Sequence, residues 1–155
     1  MDGIRFAECD GALQRRVGAV LGEVAERHIR LTDGFALVAL DGETPIGVIA
    51  VYRRRLPEPL LETYEGFINI IEVAAAYRRR GIGRRLVEMA IERCRGLDLW
   101  QLRGWSSGDK SEAITMWKAL GFALCPATEH PRGQEVKGYF VAYRLQQTRD
   151  RHDRH

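Results

Sequence analysis

Apolar positions along this chain keep two different periods. Continuous or alternating apolar runs at 3–8, 34–40, 46–52, 67–73, 97–102, 122–125 and 136–145 read as strands. Between them, mostly apolar residues recur at helical spacing: Leu13, Val17, Val20, Leu21 and Val24, then Ile82, Leu86, Met89, Ala90, Arg93 and Cys94, then Ala113, Trp117 and Leu120. Asp10 is placed to cap the first helix. Asp109 and Glu112 have the spacing of a capping box for the third, which Gly121 stops. Asp41-Gly42 marks a tight hairpin between two strands, and Ser106 to Asp109 reads as a turn. Hairpins mixed with helical crossovers predict a mixed α/β fold. Arg53 to Gly66, with Pro57 and Pro59, is too long for a plain hairpin, and its Glu58, Glu62 and Glu65 suit a cationic substrate.

No repeat or change of composition divides the chain, and 155 residues fit one domain, expected over 1–145 with a polar, disordered tail over 146–155. A net charge of +3, spread along the chain outside one cluster, does not suit a nucleic-acid binder. Cys9, Cys94 and Cys125 match neither a zinc site nor a redox pair, and no histidine has a metal-ligand partner at useful spacing, so no metal is expected. No run is long enough to span a membrane, and the first residues lack signal-peptide character. The expectation is a cytoplasmic protein without a membrane partner; its oligomeric state is open, a homodimer included.

The charge cluster changes the picture. Tyr77-Arg78-Arg79-Arg80-Gly81-Ile82-Gly83-Arg84-Arg85-Leu86 joins a buried strand to the start of a helix. Unpaired amides and the macrodipole make that end positive, so arginines there are unfavourable by a few tenths of a kcal/mol each unless an anion binds. Glycines let a phosphate approach the amides. Leu86 stands where a dinucleotide-binding loop needs a third glycine, and Gly83 is followed by Arg84 rather than the Lys-Ser or Lys-Thr of a nucleoside triphosphate loop.

The strand and loop Val73-Ala74-Ala75-Ala76-Tyr77-Arg78-Arg79-Arg80-Gly81-Ile82-Gly83, followed by Ala113-Ile114-Thr115-Met116-Trp117-Lys118-Ala119-Leu120-Gly121-Phe122, resembles the two motifs of the GCN5-related N-acetyltransferase (GNAT) superfamily. Arg78, Gly81 and Gly83 fall on its Arg/Gln-x-x-Gly-x-Gly/Ala core. The resemblance covers nearly the whole globular part. It implies a predominantly antiparallel central sheet flanked by helices, and a transferase that passes the acetyl group of acetyl-CoA directly to a primary amine of a small molecule or peptide. Acetyl-CoA would lie along the strand ending at Val73, with its pyrophosphate on amides among Arg78, Arg79, Arg80, Gly81, Ile82, Gly83 and Arg84. A backbone N–H near Val73 would hold the oxyanion.

Two departures bear on chemistry. Lys110 stands where many members carry asparagine, and could reach a CoA phosphate. Trp117 stands where many carry the tyrosine that protonates the leaving thiolate, and an indole donates hydrogen bonds without giving up a proton. Two carboxylates are rival candidates for the base. Glu72 adjoins Val73, but strand alternation turns it from Ile71 and Val73 unless a bulge intervenes; Glu65 sits at the strand entrance, upstream of Phe67, Asn69 and Ile71 on the expected Val73 face. The alternative is a noncatalytic acetyl-CoA-binding module.

Overall fold

The computed structural model describes residues 3–146; the tail expected to be disordered lies, beyond Gln146, outside them. The chain runs β1 (Ile4–Glu8), α1 (Gly11–Leu21), α2 (Glu23–Arg27), β2 (Gly34–Asp41), β3 (Thr44–Arg55), β4 (Tyr64–Val73), α3 (Ile82–Arg95), β5 (Gln101–Ser107), α4 (Ser111–Ala119), β6 (Ala123–Glu129) and β7 (Val136–Arg144). The strands form one sheet in the order β1-β2-β3-β4-β5-β7-β6. Every neighbouring pair is antiparallel except β4 and β5. This is the mixed α/β, predominantly antiparallel arrangement expected.

Each sheet face buries its own apolar set. Leu86, Val87, Ala90 and Cys94 of α3 and Trp117 of α4 pack on Ile49, Val51, Ile68 and Leu102. On the opposite face, Leu13, Val17 and Ala25 cover Val38, Val48 and Ala50. Burial pushes the Cys94 thiol up to about 12 against the opposing effect of Arg93, which suits a core hydrophobe and not a nucleophile.

Asp10 caps α1 as expected, accepting from Leu13 N–H at 2.8 Å. The first helix, however, breaks at Gly22, whose φ of +106° ends α1 and starts α2, so Val20 and Val24 turn outward at 49% and 54% exposure. The expected capping box does not form. Lys110 is the N-cap of α4 without a side-chain bond, and Asp109 instead accepts from Ser107 Oγ at 2.6 Å. The fifth strand begins at Gln101 rather than Leu97 and continues through Ser106 and Ser107, which the sequence had suggested were a turn. Its inward residues are Leu102, Gly104 and Ser106, too small or too polar to register as an apolar alternation.

Two irregularities in β4 shape the site. Ala50 pairs with Ile70 but Val51 with Ile68, so Asn69 is the extra residue of a bulge; its Nδ2 donates to His28 O at 2.8 Å. The bulge swaps faces upstream. Ile71 and Val73 share the α3 side with Ile68, whereas Phe67 and Glu65 join Ile70 and Glu72 on the α1/α2 side, so Asn69 and Phe67 do not lie on Val73's face as expected. The second irregularity is a split: β4 and β5 pair only at Gly66↔Leu102 and Phe67↔Arg103, then diverge.

Candidate active site in the split between two strands

The divergence leaves the β5-facing edge of β4 from Ile68 to Val73 without a strand partner, and a cavity of about 710 Å³ opens there. Ile71, Val73 and Ser106 line it from the α3 side, together with Met116 and Trp117 of α4; Glu72, Trp105 and Ser107 line it from the other. The cavity therefore passes between the strands, connecting both faces of the sheet.

At its α3 end the Arg-Gly segment forms the wall. A turn of 3-10 helix at Ala75–Tyr77 leads to Arg79 and Gly81, both at positive φ (65° and 78°), and the chain then enters α3. Gly81 offers no capping side chain. The first helical bond runs from Arg85 N–H to Gly81 O at 3.0 Å, leaving the amides of Ile82, Gly83 and Arg84 without helical acceptors. Arg78 Nε donates to Val73 O at 3.0 Å, tying the loop to the end of β4. Val73, Arg78, Arg79, Gly81, Ile82, Gly83, Arg84 and Lys110 all line the cavity. Arg80 does not: its guanidinium carbon lies 5.1 Å from the Tyr77 ring centroid. Arg79 crosses to Glu112 on α4 at 2.9 Å, an exposed pair that an incoming anion could displace at a cost of about 0–1 kcal/mol.

The two candidate carboxylates fare differently. Glu72 lines the cavity and has no side-chain hydrogen bond or ion pair among the described residues. Its side chain does oppose Ile71 and Val73, and still reaches the cavity because the cavity penetrates the sheet. Glu65 lies outside the lining, fully buried. It accepts from Arg103 Nε and Nη2 at 3.0 Å each, from Gln101 Nε2 at 2.8 Å and from Arg54 Nε at 2.9 Å. Burial alone would raise its pKa, but the bonds from Arg103, Gln101 and Arg54 prevail and hold it below the usual carboxylate value. The acidic stretch that had suggested a cationic acceptor thus lends the cavity no free charge from Glu65, and neither Glu58 nor Glu62 lines it.

Trp117 is 3% exposed and packs edge-on against Phe122 at 4.8 Å, and its Nε1 is a buried donor without a partner among the described residues. Sequence reasoning missed Trp105, Ser106 and Ser107: the two serines fell in the expected turn and Trp105 beyond the strand expected over 97–102, with no apolar alternation there to extend it. Among the described residues no group of three His, Cys, Asp or Glu could hold a metal ion, and no helix is long and apolar enough to cross a membrane.

Known proteins share this architecture. Arabidopsis thaliana NAA60 in complex with a bisubstrate analogue superposes with a TM-score of 0.76 at 16% identity, covering 91% of this chain and 97% of that one. The same plant protein in complex with acetyl-CoA gives 0.73 at 18% identity, covering 92% and 98%. The putative acetyltransferase yncA from Salmonella typhimurium, with its cofactor acetyl-CoA, gives 0.71 at 16% identity, covering 96% and 98%. No curated protein sequence matches the chain significantly. Residues 12–122 match the family described as Acetyltransferase (GNAT) family, more than half of the sequence, and the chain belongs to that family.

Proposed function

We propose that the protein is an acetyl-CoA-dependent N-acetyltransferase that moves the acetyl group to a primary amine by direct attack. One observation carries the reading: a single cavity joins a basic, amide-rich helix start on one face of the sheet to an unpaired carboxylate, Glu72, on the other. Neighbours of the same fold carry acetyl-CoA, which supports the donor assignment.

In this reading the pyrophosphate takes the amides of Ile82 to Arg84 and the guanidinium groups of Arg78, Arg79 and Arg84, with Lys110 on a further phosphate. The thioester lies in the split. The acceptor nitrogen enters from the Glu72 side and attacks the carbonyl carbon; the C–N bond forms while the oxyanion takes a backbone N–H on the freed edge of β4. The C–S bond then breaks and CoA leaves as thiolate. With a cysteine-like pKa near 8.5, departure unprotonated at pH 7 costs about 2 kcal/mol, so water can supply the proton. The acceptor is more demanding: deprotonating a lysine-like amine costs about 4.6 kcal/mol at pH 7, and an α-amine near pKa 8 only about 1.4. Glu72, through a bridging water, takes that proton.

The unpartnered Trp117 N–H, where many relatives place an acid, favours a second reading, a noncatalytic acetyl-CoA binder. Thermal stabilisation by acetyl-CoA together with amine-dependent thiol release supports the enzyme. Stabilisation without release on any amine supports the binder, and no stabilisation overturns both.

A further inference from the structure

The two sides of the cavity differ in charge. Its lining cations, Arg78, Arg79, Arg84 and Lys110, all stand toward α3 and α4, where the phosphates are placed above. On the other side of the sheet the wall is Glu72, Trp105 and Ser107. Ser107 already donates its hydroxyl to Asp109 Oδ1 at 2.6 Å. Arg103, the next residue along that face of β5, lies outside the lining with its guanidinium on Glu65. An acceptor therefore meets one carboxylate and one indole.

The indole is held in place. Trp105 meets Phe140 edge-on, with ring centroids 5.3 Å apart. Its six-membered ring leans across Gly138 of β7, where a Cβ would come within 2.9 Å of Trp105 Cζ2. The bare glycine gives the ring its seat and Phe140 backs it. A positioned aromatic ring together with a carboxylate that has no side-chain partner among the described residues recognises an ammonium group carried on an apolar or aromatic skeleton. The carboxylate takes the charge, and the ring takes the cation's edge and the apolar surface beside it. The same pair disfavours a free amino acid. There the carboxylate sits on the carbon that bears the amine, so an amine delivered to Glu72 brings a second anion with it, and this side of the lining has no cation to receive it.

We propose that the acceptor is an aralkylamine with no carboxylate beside its nitrogen, its ring against Trp105 and its amine at Glu72, and that Trp105 determines this specificity. The proposal deepens, and rests on, the acetyl-transfer reading above. The chemistry is that of the reading: nitrogen bonds to the thioester carbon, its proton passes to Glu72, and the C–S bond breaks to release CoA thiolate.

The test compares kcat/KM, measured by thiol release, for three amines: 2-phenylethylamine; phenylalanine, which is the same molecule with a carboxylate added; and 2-methoxyethylamine, which lacks the ring and is no more basic. The expected result is that 2-phenylethylamine exceeds each of the others by at least about tenfold. Trp105→Leu brings 2-phenylethylamine and 2-methoxyethylamine within about twofold of each other, through a rise in KM for the first, whereas Trp105→Phe keeps most of the preference. Thermal stabilisation by acetyl-CoA checks that each variant folds and holds the donor. Phenylalanine or 2-methoxyethylamine used by the parent protein as well as 2-phenylethylamine overturns the proposal, and that comparison needs no variant to fold. A loss in Trp105→Leu that falls equally on both amines also overturns it, by giving the indole a purely structural role. Release with none of the three while acetyl-CoA binds overturns this proposal alone; release absent as well with the lysine and α-amines of a peptide overturns the acetyl-transfer reading too.

Discussion

The two ends of the β4–β5 interface are built from the same strands and reach opposite states. At one end Gly66↔Leu102 and Phe67↔Arg103 pair, and Arg54, Glu65, Gln101 and Arg103 tie three strands together beneath them. At the other the strands part and leave a cavity with a carboxylate, Glu72, that has no side-chain partner among the described residues. Glu65 and Glu72 share a strand and a face, yet one is saturated with donors and the other is free. The lesson is that a carboxylate's place in the strand pairing, more than its nearness to a motif, decides whether it can act on a ligand.

The largest effect should come from breaking the closed end. Glu65→Ala leaves two guanidinium groups packed together without their anion; with both partly exposed, a loss of about 3 kcal/mol is expected, seen as a fall of roughly 6–12 °C in Tm. The pH dependence has a fixed sign. Because the folded pKa of Glu65 lies below its unfolded value, its contribution is complete above the ordinary carboxylate range and disappears as pH falls through the folded pKa. Acid unfolding followed by circular dichroism should therefore show a shallower acid limb in Glu65→Gln than in the parent protein.

The open end can be broken without harming the fold. A Cβ at Gly83 would meet Val73 Cγ2 at 3.7 Å and Met116 Sδ at 3.9 Å, ordinary contacts, so Gly83→Glu should fold while placing a negative charge at the bare amides. CoA affinity should fall by about a hundredfold or more, with Tm in the absence of ligand changed by only a few degrees. Unchanged affinity in calorimetry would remove the loop from the donor site.

These contrasts explain what the sequence could and could not tell. The Arg-Gly loop was legible because its residues conflict with the helix start they occupy, and eight of the nine expected cofactor positions line the cavity, Arg80 excepted. The strands were legible where both faces are apolar, as in β2 and β3. Three features were not. The bulge at Asn69 depends on pairing with Ala50 and Val51, which no local pattern encodes. The end of β5 has Gly104 and Ser106 where a buried strand usually carries branched apolar residues: a Cβ at Gly104 would come within 3.3 Å of Ile68, and Ser106 lines the cavity. The partners of Glu65 come from β3 and β5, 11 and 38 residues away, so its burial could not be read from the neighbouring acids.

A smaller effect separates the two carboxylates by chemistry. Glu72→Gln should lower kcat by about tenfold or more on amines of lysine-like pKa and by less on α-amines, since the proton to be removed is held more loosely in the second case. Stability should hardly change, because Glu72 has no side-chain partner to lose, in contrast to Glu65. Equal rates in variant and parent, measured by thiol release on both amine types, would leave solvent as the base.

The smallest effect is expected at Trp117, and its size tests the leaving-group argument. Trp117→Tyr puts a phenol where many relatives have one, in a wall already shaped by Phe122 and Met116. If the thiolate leaves unaided at a cost of about 2 kcal/mol, a donor of that kind has little left to contribute, and kcat should stay within about threefold of the parent value. Removing the buried, unpartnered indole N–H recovers about 1–3 kcal/mol of desolvation, while the smaller ring gives up a comparable amount of packing, so Tm should move little. A rise in kcat of about a hundredfold would instead mean that protonation of sulfur limits the natural protein. In that case the open end of the split would be a well-formed binding site whose chemistry is held back at one position.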